Sequence, residues 1–348
     1  MSWTAEEASG LRGGEGGSTG AGGLEHGGRL GAARRRFAGA PEPFLDLSTG
    51  INPVPWPLPP LPPSAFTRLP EPEEEEGLRV AAAAAYGAPG PDCVAAAPGT
   101  QILIQLLPRL FPLPGIHILG PTYAEHARCW AAAGTRVTMA TRLEELADAP
   151  GALLCNPNNP DGRRHDPAAL LALAGRMAAR GGFLVVDEAF ADLEPDVPGC
   201  AGFLPHPALV LLRSFGKSYG LAGLRLGFAL AAPQRAEAIR AALGPWAVSG
   251  PALHAGRAAL ADVEWRTQAA ERLAADAARL DRLLEKAGLT VLGGTRLFRL
   301  AEGEAAHWHE RLGRAGILVR PFAAEPRWLR FGIPGDAESW RRLEVALS

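Results

Sequence analysis

Ser214-Phe215-Gly216-Lys217-Ser218-Tyr219-Gly220-Leu221-Ala222-Gly223-Leu224-Arg225-Leu226-Gly227 presents one lysine among small residues, with an arginine eight positions later. A lysine that forms an imine with an aldehyde cofactor needs room on its flanks and a nearby cation for the cofactor phosphate, and this segment offers both. Thirty residues before the lysine, Asp187-Glu188-Ala189-Phe190 closes the strand-like run Phe183-Leu184-Val185-Val186. Earlier still, Asn156-Pro157-Asn158-Asn159-Pro160-Asp161-Gly162 forms a turn rich enough in proline to hold Asn159 on a rigid loop. The ordered appearance of an asparagine, an aspartate, a lysine and an arginine carries more information than any one of them.

The remaining composition narrows the class. The chain has 348 residues, 47% of them hydrophobic, and a formal net charge of −2. That length can bury a large core and divide into two domains, and the charge leaves no basic footprint for nucleic acid. No apolar run approaches the ~20 residues of a membrane helix. Cys93, Cys129, Cys155 and Cys200 show neither a Cys-x-x-Cys spacing nor a disulfide-dense pattern. With no signal-peptide pattern at the N-terminus, a reducing cytoplasm is expected. His307-Trp308-His309 lacks further ligands nearby, so no metal is expected. No Gly-x-Gly-x-x-Gly follows a first strand, which argues against a nicotinamide enzyme.

Along the chain, residues 1–24 read as a flexible leader, glycine-rich over 10–23 with little to bury. Residues 25–63 read as an N-terminal arm, whose proline-rich run from Asn52 to Pro63 can continue neither a helix nor a central strand. A helix opens at Glu73 to Glu76. Helical patterns such as Leu78 to Ala85 then alternate with short apolar runs at Ile116 to Leu119, Ala152 to Cys155, Phe183 to Val186 and Leu209 to Leu212. This alternation predicts an α/β large domain over 64–244 with a mostly parallel sheet, leaving 245–348 for a smaller α+β domain. Ligands of such sheets sit at the carboxyl ends of the strands, where Asn159, Asp187 and Ser214 fall. Ala97-Pro98-Gly99-Thr100-Gln101 precedes an apolar helical run and offers backbone N–H groups to a phosphate, the competing reading being an ordinary turn and cap.

Taken together these motifs resemble the fold type I pyridoxal-phosphate enzymes, the aspartate aminotransferase superfamily, over roughly residues 45 to 348. The resemblance implies pyridoxal 5'-phosphate as cofactor and Lys217 as its imine partner. Asp187 would hold the pyridine nitrogen protonated and Asn159 would hydrogen-bond the ring oxygen. Tyr123, in Pro121-Thr122-Tyr123, would stack on the ring. Gly99, Thr100, Gln101, Ser214 and Arg225 would gather round the cofactor phosphate. It also implies a homodimer. Arg68-Leu69-Pro70 carries leucine where relatives often have a tyrosine reaching the neighbouring subunit, which puts that contact in doubt. Phe190 stands where many relatives have a tyrosine, so the cofactor imine is expected to titrate higher than in those relatives.

Within the superfamily the chain is similar to the threonine-phosphate decarboxylases of cobalamin biosynthesis, near relatives of the histidinol-phosphate aminotransferases. The passages are His26-Gly27-Gly28, Asp46-Leu47-Ser48-Thr49-Gly50-Ile51-Asn52-Pro53, Gly223-Leu224-Arg225-Leu226-Gly227 and Pro245-Trp246-Ala247-Val248-Ser249. This resemblance favours decarboxylation of L-threonine O-3-phosphate, a small phosphorylated amino acid. Amino transfer from histidinol phosphate is the alternative, and a non-catalytic receptor on the same fold is a weaker one. His26, Asn52, Arg320 and Arg330 are the candidates for the substrate's phosphate and carboxylate. Which arginine takes which group stays open. Arg330 lies in the strand-like Trp328-Leu329-Arg330-Phe331-Gly332-Ile333, where a surface arginine is the competing reading.

Overall fold

The computed structural model describes residues 26–348, so the leader expected over 1–24 lies outside the described residues. The arm contributes a two-residue strand, β1 (Leu45–Asp46). The central sheet contains β2 (Val94–Ala97), β3 (Gly115–Leu119), β4 (Arg136–Ala140), β5 (Ala152–Cys155), β6 (Leu184–Asp187), β7 (Leu209–Arg213) and β8 (Gly227–Ala231). Their spatial order is β2-β8-β7-β6-β5-β3-β4. Every pairing from β7 across to β4 is parallel, whereas β8 runs antiparallel to both β7 and β2. The sheet is therefore mixed, with its one reversed strand between two strands of the common direction.

Strands β6, β7 and β8 are buried along their whole length, which is why they read as unbroken apolar runs. Alternate side chains leave on opposite faces. Leu184, Val186 and Leu211 pack with Leu170 and Leu173 of helix Pro167–Ala178 on one side. Val185, Val210 and Leu212 pack with Leu103 and Leu107 of helix Thr100–Leu110 on the other. The edge strand β4 instead exposes Arg136, Thr138 and Met139, so a charge interrupts a surface that another strand could pair with. Helix Pro72–Tyr86 starts with a capping box between Glu71 and Glu74, with proline in its first turn and acidic residues against the positive end of its dipole.

A second, antiparallel sheet forms the smaller C-terminal α+β domain. It contains β9 (Thr290–Thr295), β10 (Phe298–Glu302), β12 (Arg320–Pro321) and β13 (Trp328–Gly332) in the order β12-β13-β10-β9. Leu273 and Leu280 of helix Val263–Lys286 pack on its inner face with Phe298, Phe331 and Trp340. The short strand β11 (Ile317–Leu318) pairs in parallel with β1, and Leu47 enters the same core, which ties the arm to this domain. Fold type I α/β architecture, with a mixed-sheet large domain and a smaller C-terminal domain, is thus what the chain adopts.

Candidate active site

The carboxyl ends of β5, β6 and β7 open towards one cavity of about 270 Å³ between the two sheets. Every site residue expected from the sequence lines it except Asn52. Asn52 is a correction. Its side chain is buried and consumed locally: Nδ2 donates to the Ser218 carbonyl at 2.9 Å, and Oδ1 accepts from the Val54 N–H at 3.1 Å. Its backbone N–H also bonds the Lys217 carbonyl, so Asn52 clips the arm beneath the lysine segment and does not face a ligand.

Asp187 ends β6 with both faces of the strand covered, so its carboxylate needs partners. Oδ1 accepts the Ala189 N–H at 3.0 Å, and Oδ2 lies 2.8 Å from Nε2 of the buried His126. Burial alone would push the carboxyl up. The His126 hydrogen bond and charge, followed by Lys217, hold it below the usual carboxylate range. His126 was not legible as a site residue. Its only sequence signal is its place three residues after Tyr123, whose ring meets the His126 ring edge-on at 5.8 Å.

Lys217 lies in the short helix Phe215–Ser218, with Nζ 3.4 Å from the Ser214 hydroxyl and 4.9 Å from the Phe190 ring centroid. Burial lowers its pKa and the cations Arg330 and Arg225 lower it further, against the opposing pull of Asp187 and Cys155. An amine whose charged form is disfavoured by burial is a readier nucleophile for an aldehyde than a solvated lysine.

The reversed strand β8 explains where Arg225 goes. Gly227 at the start of β8 pairs with Ala97 at the end of β2, which brings Arg225 against Gly99. Arg225 takes a left-handed conformation (φ 54°) and donates from Nη1 to the Ala222 carbonyl at 3.1 Å. Gly99, at φ 88°, precedes helix Thr100–Leu110, and a Cβ there would sit 2.7 Å from Arg225 Nη2. Only glycine leaves this cradle open. Backbone N–H groups at the start of the helix, the Ser214 hydroxyl and the Arg225 guanidinium together suit a phosphate dianion, so the donor set fits the phosphate of pyridoxal phosphate. Gly99→Ala is expected to weaken cofactor affinity at least about tenfold, measured by fluorescence titration of the apoenzyme with pyridoxal phosphate, because it both strains the backbone and crowds the arginine.

Asn159 is held by its loop. Asn158 donates to the Pro121 carbonyl and to Asp161, and Asn156 bridges to both backbone groups of His165. The loop also presses backbone to backbone on β9: a Cβ on Gly162 would lie 2.0 Å from the Gly294 carbonyl oxygen. Asn159 Oδ1 accepts from Arg330 Nη1 at 2.6 Å, while Arg330 Nη2 donates to the Ser48 carbonyl at 2.8 Å. Arg330 Nε is buried with no hydrogen-bond partner. Arg320 and Arg330 are direct cross-strand partners on β12 and β13. Burial first, then Arg320, push the Arg330 pKa down to about 9, which still leaves it charged at neutral pH. Like charges opposite each other on a sheet destabilise it unless an anion comes between them.

At the mouth, Glu125 is a buried carboxylate that the sequence reading missed. It meets His26 Nε2 at 3.1 Å and accepts from Gln101 Nε2 at 3.0 Å and from Arg128 Nη2 at 2.8 Å. Tyr123 donates in turn to Gln101 Oε1 at 3.2 Å. Burial would raise Glu125, but Arg128, Gln101 and His26 together hold its pKa below the ordinary value. Glu125→Ala is expected to raise KM for a phosphorylated substrate about tenfold with a smaller effect on kcat, since it frees His26 and Gln101 without touching Lys217. Steady-state kinetics check this. Leu69 lies outside the cavity on an exposed surface.

His126, Cys155 and Asp187 lie close enough to suggest a metal. Burial and then the Asp187 charge push the Cys155 thiol up, and Asp187 and His126 are hydrogen-bonded to each other, an arrangement that serves the pair without an ion.

Residues 65–346 match the family of class I and II aminotransferases, and the chain belongs to that family. It is a fold type I pyridoxal-phosphate protein, with pyridoxal 5'-phosphate as its cofactor, closely related to both the threonine-phosphate decarboxylases and the histidinol-phosphate aminotransferases. It is 45% identical over 328 residues to a threonine-phosphate decarboxylase of Pseudomonas aeruginosa, covering 93% of this chain and 97% of that one. It is 46% identical over 329 residues to another from a Sinorhizobium species, covering 93% and 98%. The crystal structure of histidinol-phosphate aminotransferase from Sinorhizobium meliloti in complex with pyridoxal-5'-phosphate superposes with a TM-score of 0.79 at 24% identity, covering 91% of this chain and 93% of that one. At that identity the likeness speaks to the fold. No helix among the described residues is long and apolar enough to cross a membrane.

Proposed function

We propose that the protein decarboxylates L-threonine O-3-phosphate to (R)-1-amino-2-propanol O-2-phosphate and CO2 in cobalamin biosynthesis, as a cytoplasmic homodimer divided near residue 244 into its large and small domains. The observation that carries this reading is the pair of facing arginines, Arg320 and Arg330, lining one cavity with His26. Two opposed cations beside an amine-binding lysine match a substrate that bears two anionic groups on one amino acid. The near-full-length identity to threonine-phosphate decarboxylases supports the same substrate.

Pyridoxal phosphate, when bound, supplies the sink for the electron pair released when a bond at the substrate Cα breaks. The protein's part is to choose the bond and to manage protons and charge. Asp187, kept anionic by His126, holds a proton on the pyridine nitrogen. Asn159 and Tyr123 line the cavity where the ring would lie, the one offering its amide to the ring oxygen and the other an aromatic face. Gly99, Thr100, Gln101, Ser214 and Arg225 hold the phosphate. Arg320, Arg330 and His26 would fix the two anionic groups of the substrate, and this anchoring would decide which bond at Cα is presented for cleavage. Lys217, taking a proton from the ammonium group of the incoming substrate, would return it to Cα after CO2 leaves.

The test is to mix purified holoenzyme with L-threonine O-3-phosphate and follow CO2 and the cofactor spectrum, with histidinol phosphate plus 2-oxoglutarate in parallel. CO2 release with the aldehyde cofactor regenerated supports the reading. No CO2, with glutamate formed from histidinol phosphate, overturns it in favour of amino transfer.

A further inference from the structure

The geometry points to Phe298 as a positioning residue that sets reaction specificity without touching the substrate, an inference that rests on the reading of Arg330 as an anion grip. Phe298 opens β10, is fully buried, and does not line the cavity. The Arg330 guanidinium carbon stands 5.0 Å from its ring centroid. On its other side the ring meets Phe190 edge-on, at 5.0 Å and 82°, and Phe190 in turn lies 4.9 Å from Lys217 Nζ. One aromatic pair therefore connects the cation that anchors a substrate anion to the wall beside the reacting amine.

The contact has little freedom. Two of the Arg330 nitrogens are pinned, to Asn159 and Ser48, and the ring of Phe298 supports the guanidinium plane. What remains for a ligand includes the unpartnered Nε, whose direction follows that plane. Gly50 closes the arrangement from the cavity side: a Cβ there would come within 2.9 Å of both Phe190 Cε1 and Phe298 Cδ1. The two rings occupy the space that any side chain at position 50 would need. A tilt of the pair would tilt Arg330, and with it the substrate group that Arg330 would hold.

The experiment compares wild-type holoenzyme with Phe298→Leu, Gly50→Ala and Arg330→Lys. It reads CO2 released against keto acid formed at the expense of the cofactor aldehyde, together with KM and a thermal melt. L-Threonine O-3-phosphate is the substrate throughout, because loss of its carboxylate gives CO2 and loss of its Cα proton gives the keto acid, so one substrate reports both outcomes. Phe298→Leu and Gly50→Ala are each expected to shift the ratio by roughly tenfold, the scale of losing one desolvated cation–π contact. If Phe298→Leu does not fold, Gly50→Ala perturbs the same contact from the other side. A ratio unchanged within about twofold in the folded variants, with both products slowed equally, overturns the inference and leaves Phe298 as core packing. If Arg330→Lys leaves KM for the substrate unchanged, the reading of Arg330 falls instead.

Discussion

Lys217→Ala is expected to abolish turnover, by at least about 10⁴-fold in kcat, which is the scale seen when a covalent catalyst is removed. The cavity walls, the phosphate cradle at Gly99 and the Asp187–His126 pair do not depend on the lysine side chain, so pyridoxal phosphate should still bind without the absorbance of an imine. Stability gives an independent reading. Burial makes the charged lysine costly, shown by its lowered pKa, so the apo variant should melt no lower than apo wild type. Substrate assay, absorbance spectrum and calorimetry check the three parts. Residual turnover within about a hundredfold of wild type would mean that another group carries the chemistry.

Asp187→Asn should be the second most damaging change, with kcat falling on the order of 10³-fold. An amide of the same shape fills the space yet cannot hold the pyridine proton by charge. Replacing His126 by phenylalanine acts one step back: it leaves the carboxylate in place but removes its 2.8 Å partner, so a loss of about tenfold is expected. The acid limb of the stability profile should report the same pair. The folded Asp187 carboxyl titrates below its ordinary value, so its contribution is complete above about pH 4 and is lost as pH falls through the depressed value. Thermal melts carried from pH 7 down to about pH 2 should show that this loss is absent from Asp187→Asn.

Lys217, Asp187 and Asn159 were legible because each stands in a linear motif whose neighbours report its backbone: small residues round the lysine, an apolar run before the aspartate, prolines round the asparagine. Arg225 was legible as a cation near the lysine. Its approach to Gly99 followed from the family resemblance alone, because in physical terms it depends on β8 running backwards, and a strand buried on both faces carries no mark of direction. His126 and Glu125 sit on helix Glu125–Ala132 among ordinary helical neighbours, and only the fold shows that both point inwards. Phe298 reads in sequence as any core aromatic. Asn52 misled for the opposite reason: its motif was visible, but the turn that the motif builds uses the side chain to tie the arm under Ser218.

The backbone contact between Gly162 and Gly294 has a mechanical consequence. No side chain cushions that junction, and the Asn159–Arg330 hydrogen bond lies beside it, so the loop and the C-terminal sheet cannot slide past each other there. Were the small domain to close over a substrate, this contact would be the natural place for it to pivot. The travel would then grow with distance from the fulcrum, and Arg330 and its cross-strand neighbour Arg320 would move together. Such an enzyme would carry both arginines on one stiff plate and swing that plate down over its substrate as a hinged cover.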